Sequence, residues 1–239
     1  MKILFIGNSF SEDASRYVEA ISEGELFVRN LYIGGCSLEM HAENVKSGKK
    51  AYEYQRSCEC IEMCSIEDAL KKEEWDCVSV QQVSSYSGIA ESYEPYISEI
   101  LNFVRQKAPS AKLVFHKTWA YESDSTHPDF RLYNKDREIM YAKICEATEK
   151  ICKKHSLPII PSGDVVEALR ALPEFCGDTD GTKITRDGFH LSLDYGRYAA
   201  GLTVFKFFTG KRAQHTSYLP PETNPELICK LRKIVDSIL

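Results

Sequence analysis

Residues 1–11, MKILFIGNSFS, constrain the fold more than any other stretch. Ile3, Leu4, Phe5 and Ile6 form an apolar run without polar alternation, which is how a central parallel strand covered on both faces reads. Gly7-Asn8 breaks the run, and Ser11, Glu12 and Asp13 open an amphipathic helix predicted to reach about residue 23. Ser9 therefore falls where the carboxyl end of a strand becomes a helix N-terminus, the place where open α/β sheets hold their ligands. Its hydroxyl stands above the sheet edge, and the unpaired N–H groups of the first helical turn favour a negative charge. Read alone, the same residues also describe a plain βα turn with Gly for backbone freedom and Asn and Ser as caps. A single glycine without a following Lys-Ser/Thr fits a phosphate loop poorly. Ser11 at the last position also breaks the G-x-S-x-G pattern of the α/β-hydrolases.

Further strands are predicted at 25–33, 75–83, 111–116 and 157–160, and helices at 91–107, 132–155, 162–172 and 195–208. Residues 38–70 read as a polar, irregular crossover with partial helix, helical from Ile66, and 173–186 as an acidic loop. Five apolar strands alternating with helices give an α/β fold, a doubly wound three-layer α/β/α sandwich on a five-stranded parallel sheet. A chain of 239 residues suits one such domain, residues 1–239. The net charge of −5 leaves no basic footprint for nucleic acid. No run approaches the roughly 18–20 apolar residues of a membrane span. Met1-Lys2 runs straight into the first strand with no room for a signal peptide, so a cytoplasmic location is expected. The nine cysteines are an odd number scattered through predicted elements, which favours reduced thiols. Cys58, Cys60 and Cys64, with Cys77 downstream, match no zinc spacing, so packing is expected of them and neither metal nor cofactor is implied.

Several polar residues gather at the predicted carboxyl edge. Gly34-Gly35-Cys36-Ser37 follows the second strand, where a glycine lets the backbone aim an N–H at a ligand. Gln81-Gln82-Val83-Ser84 ends the third strand. A buried amide needs partners, so the glutamines and Ser84 either donate to a ligand or tie loops together. Trp119, Tyr121 and His127 lie on the long loop 117–130 and are expected to form a binding wall suited to sugar faces. His41 is expected at the surface. Near the end, Thr185-Arg186-Asp187-Gly188-Phe189-His190-Leu191-Ser192 precedes the apolar helix. Asp187, three residues before His190, can hold one imidazole nitrogen and leave the other to take a proton from a serine. It can also simply cap a turn.

Taken together, Gly7-Asn8-Ser9 after the first strand and Asp187-Gly188-Phe189-His190 before the last predicted helix resemble the SGNH/GDSL hydrolase superfamily, in a branch with GNSF, GG, QQ and DGFHLS blocks. The resemblance covers the whole chain in order. It implies a flavodoxin-like sheet, Ser9 as nucleophile, His190 as general base and acid, and Asp187 as the orienting carboxylate. The implied oxyanion hole combines the Ser9 N–H, a glycine N–H, here Gly35, and a third-block amide. No G-x-N-D follows the third strand, and Gln82 is the expected stand-in. Asn8, Gln81, Ser84, Trp119, Tyr121 and His127 are the expected substrate contacts. The implied reaction is hydrolysis of a carboxylic ester, an acyl group such as acetyl on a carbohydrate. A lipase or thioesterase for longer acyl chains and a non-catalytic sugar-binding domain are the competing readings.

Overall fold

The computed structural model describes residues 1–176 and 181–239. In chain order the elements are β1 (Lys2–Gly7), α1 (Ser9–Ser15), α2 (Val18–Ile21), β2 (Phe27–Tyr32), α3 (Leu38–Ser47), β3 (Tyr52–Arg56), β4 (Glu59–Cys64), α4 (Ile66–Lys72), β5 (Cys77–Val80), α5 (Tyr96–Lys107), β6 (Lys112–His116), α6 (Arg137–His155), β7 (Ile159–Ile160), α7 (Ser162–Arg170), α8 (Tyr195–Thr209) and α9 (Pro225–Ile238). Five strands run parallel in the order β2-β1-β5-β6-β7, with Phe5 of β1 level with Asn30 on one side and Ser79 on the other. Alternate residues of β1 face opposite sides. Ile3 and Phe5 join a core with α1, α8 and α9, and Leu4 and Ile6 join one with α3, α4 and α5.

The sheet is not the expected five-stranded parallel one. It is a mixed sheet of seven strands, because β3 and β4 add an antiparallel hairpin beside β2. Tyr52 and Tyr54 turn one face of β3 into the core while Glu53 and Gln55 take the other, a period of two. The connection is Ser57-Cys58, both at positive φ, the twist that two-residue hairpin loops require. The pair lacks the Asn-Gly or Asp-Gly signature and β4 is mostly exposed, which is why 38–70 reads as an irregular crossover.

Other expectations need correction. The first helix begins at Ser9 rather than Ser11 and is interrupted at Arg16-Tyr17, whose side chains reach Ser57 O and Leu193 O. Residues 195–208 are not the last helix. α9 follows, capped by Asn224 with Pro225 at its first position, and buries Ile228, Leu231 and Val235. His41 is not at the surface. It is fully buried, its Nδ1 is 2.8 Å from Tyr52 Oη and 3.4 Å from Cys36 Sγ, and burial pushes its pKa down to about 3. Cys64 and Cys77 are buried thiols, whereas Cys60 is exposed. Residues 177–180, within the stretch expected to be an acidic loop, lie outside the described residues. Among the described residues no helix is long and apolar enough to cross a membrane, and no cluster of His, Cys, Asp or Glu could hold a metal ion.

Candidate active site

The Ser9 turn is tightly packed. A Cβ at Gly7 would collide with the Ser11 side chain and come within 3.1 Å of Gln81. Asn8 caps α1 through its side chain, accepting the Phe10 N–H at 3.0 Å, while Ser11 Oγ accepts the Asn8 N–H at 3.0 Å. Ser9 is thus the first residue of α1, where a backbone N–H has no intrahelical acceptor.

The second half of the site is a short hairpin turn. Arg186 N–H donates to His190 O at 2.9 Å and Ser192 N–H to Ile184 O at 2.8 Å, with Thr185 and Leu191 paired between them. Gly188 at the tip has φ +86° and packs against Ser125, so the turn requires glycine on both counts. Asp187 Oδ1 accepts the N–H groups of Phe189 at 3.2 Å and His190 at 2.7 Å, and its Oδ2 lies 2.6 Å from His190 Nδ1. Partial burial raises the Asp187 carboxyl, but the hydrogen bonds from the His190 side chain and backbone and from Phe189 outweigh it, so its pKa is lowered. His190 Nε2 is 2.8 Å from Ser9 Oγ. With Nδ1–H donating to the carboxylate, Nε2 carries the lone pair that faces the serine hydroxyl.

Two buried carboxylates hold this turn in place. Asp13, fully buried on α1, accepts from Arg186 Nη1 at 3.1 Å, Arg197 Nε at 2.7 Å and Leu191 N–H at 2.8 Å. Glu122 Oε1 accepts from Arg170 Nη2 at 2.8 Å and Thr185 Oγ1 at 3.0 Å, and the Glu122 N–H donates to Gly188 O at 2.8 Å. Neither carboxylate is signalled by the sequence: Asp13 stands at a helix opening and Glu122 in a polar loop, where an acidic residue reads as a cap or a surface charge.

Asn8, Ser9, Phe10, Tyr32, Gly34, Gly35, Val83, Ser84, His127, Phe189 and His190 line a cleft of about 200 Å³. Gly35 reaches it from a turn at φ +64°. Ser84 begins a single 3-10 turn and its Oγ is 2.9 Å from Tyr121 Oη. His127 Nδ1 accepts the Asp129 N–H at 3.2 Å, which leaves the ring proton on Nε2, and burial lowers its pKa.

Four expected contacts stand elsewhere. Gln82 is no oxyanion donor: its Nε2 gives both protons to Ser92, at O and Oγ, and its Oε1 accepts the N–H groups of Leu38 and Val83. It ties loops together. Gln81 is buried, spanning Asn8 Oδ1 at 2.8 Å and His116 Nδ1 at 2.8 Å. Trp119 and Tyr121 are fully buried behind the cleft rather than on its wall. Trp119 stacks on Phe10 at 4.2 Å and donates to Phe189 O at 2.7 Å, and Tyr121 packs 4.8 Å from His127. Asn8 lines the cleft, but its side chain is committed to the cap, to Gln81 and to Cys36 O. Tyr32, Phe10 and Phe189 were not anticipated. All three are apolar at least in part and looked like core residues.

A serine oxygen, a neutral imidazole nitrogen and an ionised carboxylate in line can move a proton off a hydroxyl and return it to a leaving group. Comparison with known proteins agrees with the fold. No curated protein matches the sequence. An acetyl xylan esterase, AlAXEase, is 11% identical with a TM-score of 0.57, the match covering 88% of this chain and 99% of that one. A member of the lipolytic protein G-D-S-L family from Veillonella parvula DSM 2008 is 12% identical with a TM-score of 0.53, over 87% and 98%. At such identities these share the fold, that of SGNH/GDSL hydrolases. A DUF4886 family protein from Bacteroides uniformis ATCC 8492 is 35% identical with a TM-score of 0.90, over 99% of this chain and 93% of that one. The family described as a domain of unknown function, DUF4886, matches residues 2–232, and the chain belongs to that family.

Proposed function

We propose that the protein is a serine esterase that removes a small acyl group, most simply acetyl, from a carbohydrate hydroxyl. The observation that carries the reading is the unbroken line from Ser9 Oγ through His190 to Asp187, at 2.8 and 2.6 Å. His190 takes the hydroxyl proton as Ser9 attacks the ester carbonyl, then gives it to the departing alcohol, and water releases the acyl group by the same route. The negative oxygen is held by the N–H groups of Ser9 and Gly35. Ser84, which lines the cleft from the start of its own 3-10 turn, takes the third place that Gln82 cannot fill. A cleft of about 200 Å³ edged by Phe10 and Phe189 suits a short acyl group. Tyr32, Ser84 and His127 offer the hydrogen-bonding groups that a polyhydroxy alcohol needs, and a protein of the same fold is named as an acetyl xylan esterase.

The decisive test is a fluorophosphonate probe together with an aryl acetate. The wild type is expected to be labelled and to hydrolyse the ester, and Ser9→Ala to do neither. Full activity in Ser9→Ala would refute the assignment. A panel of acetyl, butyryl and octanoyl esters, then acetylated oligosaccharides, reads the acyl and alcohol preferences. A maximum at octanoyl would replace the acetylesterase reading with a lipase or thioesterase.

A further inference from the structure

Beneath the cleft, the five parallel strands each deliver one polar group at their carboxyl ends, and the groups are hydrogen-bonded in the spatial order of the strands. Ser162 follows β7, His116 ends β6, Gln81 follows β5, Asn8 follows β1 and Cys36 lies in the turn after β2. Ser162 Oγ is 2.9 Å from His116 Nε2, His116 Nδ1 is 2.8 Å from Gln81 Oε1, Gln81 Nε2 donates to Asn8 Oδ1 at 2.8 Å, and Asn8 Nδ2 donates to Cys36 O at 3.0 Å. All five residues are buried, and burial pushes the His116 pKa down to about 3, so its ring is neutral.

Donor chemistry gives the chain one direction. Asn8 Oδ1 must face the Phe10 N–H, since that bond caps α1, so Nδ2 faces Cys36 O. Gln81 must then offer its N–H to Asn8 and its oxygen to His116. A neutral ring giving its Nδ1 proton to that oxygen can only accept at Nε2, so the Ser162 hydroxyl donates. Every link is satisfied in this sense, and the reverse sense fails at both ends of Asn8.

We propose that this girdle is a positioning device that sets the spacing between the two backbone donors of the oxyanion hole, with Gln81 and His116 as its positioning residues. Asn8 precedes Ser9 and grips the carbonyl of Cys36, which follows Gly35. One side chain thus bridges the turns that carry both N–H groups, and the rest of the chain fixes its orientation. The inference rests on the serine-esterase reading above. It also gives the Gln81-Gln82 pair two separate duties, one in the girdle and one in the loop.

Misplacing a reacting geometry by about 1 Å can cost about 100-fold. Gln81→Met, close in volume but unable to bridge, is expected to lower kcat on an aryl acetate by about 10–100-fold with KM within about two-fold. A trifluoromethyl ketone adds Ser9 Oγ to its carbonyl carbon, passes the serine proton to His190 and places the resulting O⁻ in the hole. Its Ki should rise by the same factor. His116→Leu should behave likewise, and His116→Asn, whose amide can still donate to Gln81, should recover most of the loss. Should Gln81→Met fail to fold, Ser162→Ala, which removes only the far hydroxyl, should lower kcat about three-fold at constant KM. Unchanged kcat, a loss confined to KM, or undiminished ketone binding in folded variants would overturn the proposal. The Gly35 amide resonance needs no turnover. It should shift in Gln81→Met, and its failure to move overturns the girdle even if the wild type is an esterase. A wild type that neither turns over nor takes the probe refutes the esterase reading instead.

Discussion

Asp187 contributes more through its backbone bonds than a carboxylate in a Ser-His-Asp line needs to. One oxygen holds the turn on which His190 rides and the other holds the ring. Asp187→Asn can preserve the turn but presents an amide to Nδ1, so a loss of about 10²–10⁴ in kcat is expected, with little change in thermal midpoint. Because hydrogen bonds from His190 and Phe189 hold its pKa below that of a free carboxyl, Asp187 stays ionised to lower pH than a free carboxyl would. Gln82→Ala is expected to destabilise the 82–92 loop rather than remove a hole donor. Its effect should appear in the thermal midpoint before it appears in trifluoromethyl ketone binding. At this scale the sequence was legible in which residues come together, as with Ser9, Asp187 and His190, which the fold sets in line. It was illegible where the outcome depends on which way a side chain turns. Trp119, Tyr121 and Gln82 have the right composition for a binding wall and a hole, but their polar atoms are consumed behind it.

The elements explain how side chains from distant parts of the chain stay in register. α1 carries Ser9 at its start and Asp13 one turn later, and Asp13 grips Arg186, Arg197 and the Leu191 amide around the His190 turn. The same short helix thus bears Ser9 and anchors the turn that carries His190. Asp13→Ala leaves two arginines without their buried partner. It should cost about 3–5 kcal/mol in urea unfolding and abolish activity even in molecules that remain folded. Gly188→Ala should act on the turn alone, straining φ +86° and pressing on Ser125, with about 1–2 kcal/mol lost and a reduced kcat. The parallel strands could be read from their apolar runs. The β3–β4 hairpin and α9 could not: one turns on Ser57-Cys58 without the usual glycine, and the other follows a long loop that breaks the pattern after Thr209.

Across the molecule, two histidines buried on different networks contribute to acid sensitivity. His41 and His116 both have folded pKa values of about 3, against about 6.5 for an unfolded histidine. Well above pH 6.5 both states are neutral at these two sites, which then contribute no pH dependence. Between about pH 6 and 4 the unfolded chain binds two protons that the folded one does not, so stability should fall with falling pH by up to about 2.7 kcal/mol per unit. Urea titrations from pH 7 to 4 should show that slope, and His41→Phe should remove about half of it. An unaltered slope in the variant would mean that other groups carry the acid sensitivity.

The pairing of residue 9 with residue 190 has a temporal side. During synthesis Ser9 leaves the ribosome 181 positions ahead of His190, the imidazole proposed to activate it. Until the turn around His190 docks on α1, a growing or half-assembled chain carries an idle hydroxyl. On the esterase reading, turnover is a signal of completed assembly, and the regain of activity during refolding should lag the recovery of helical signal.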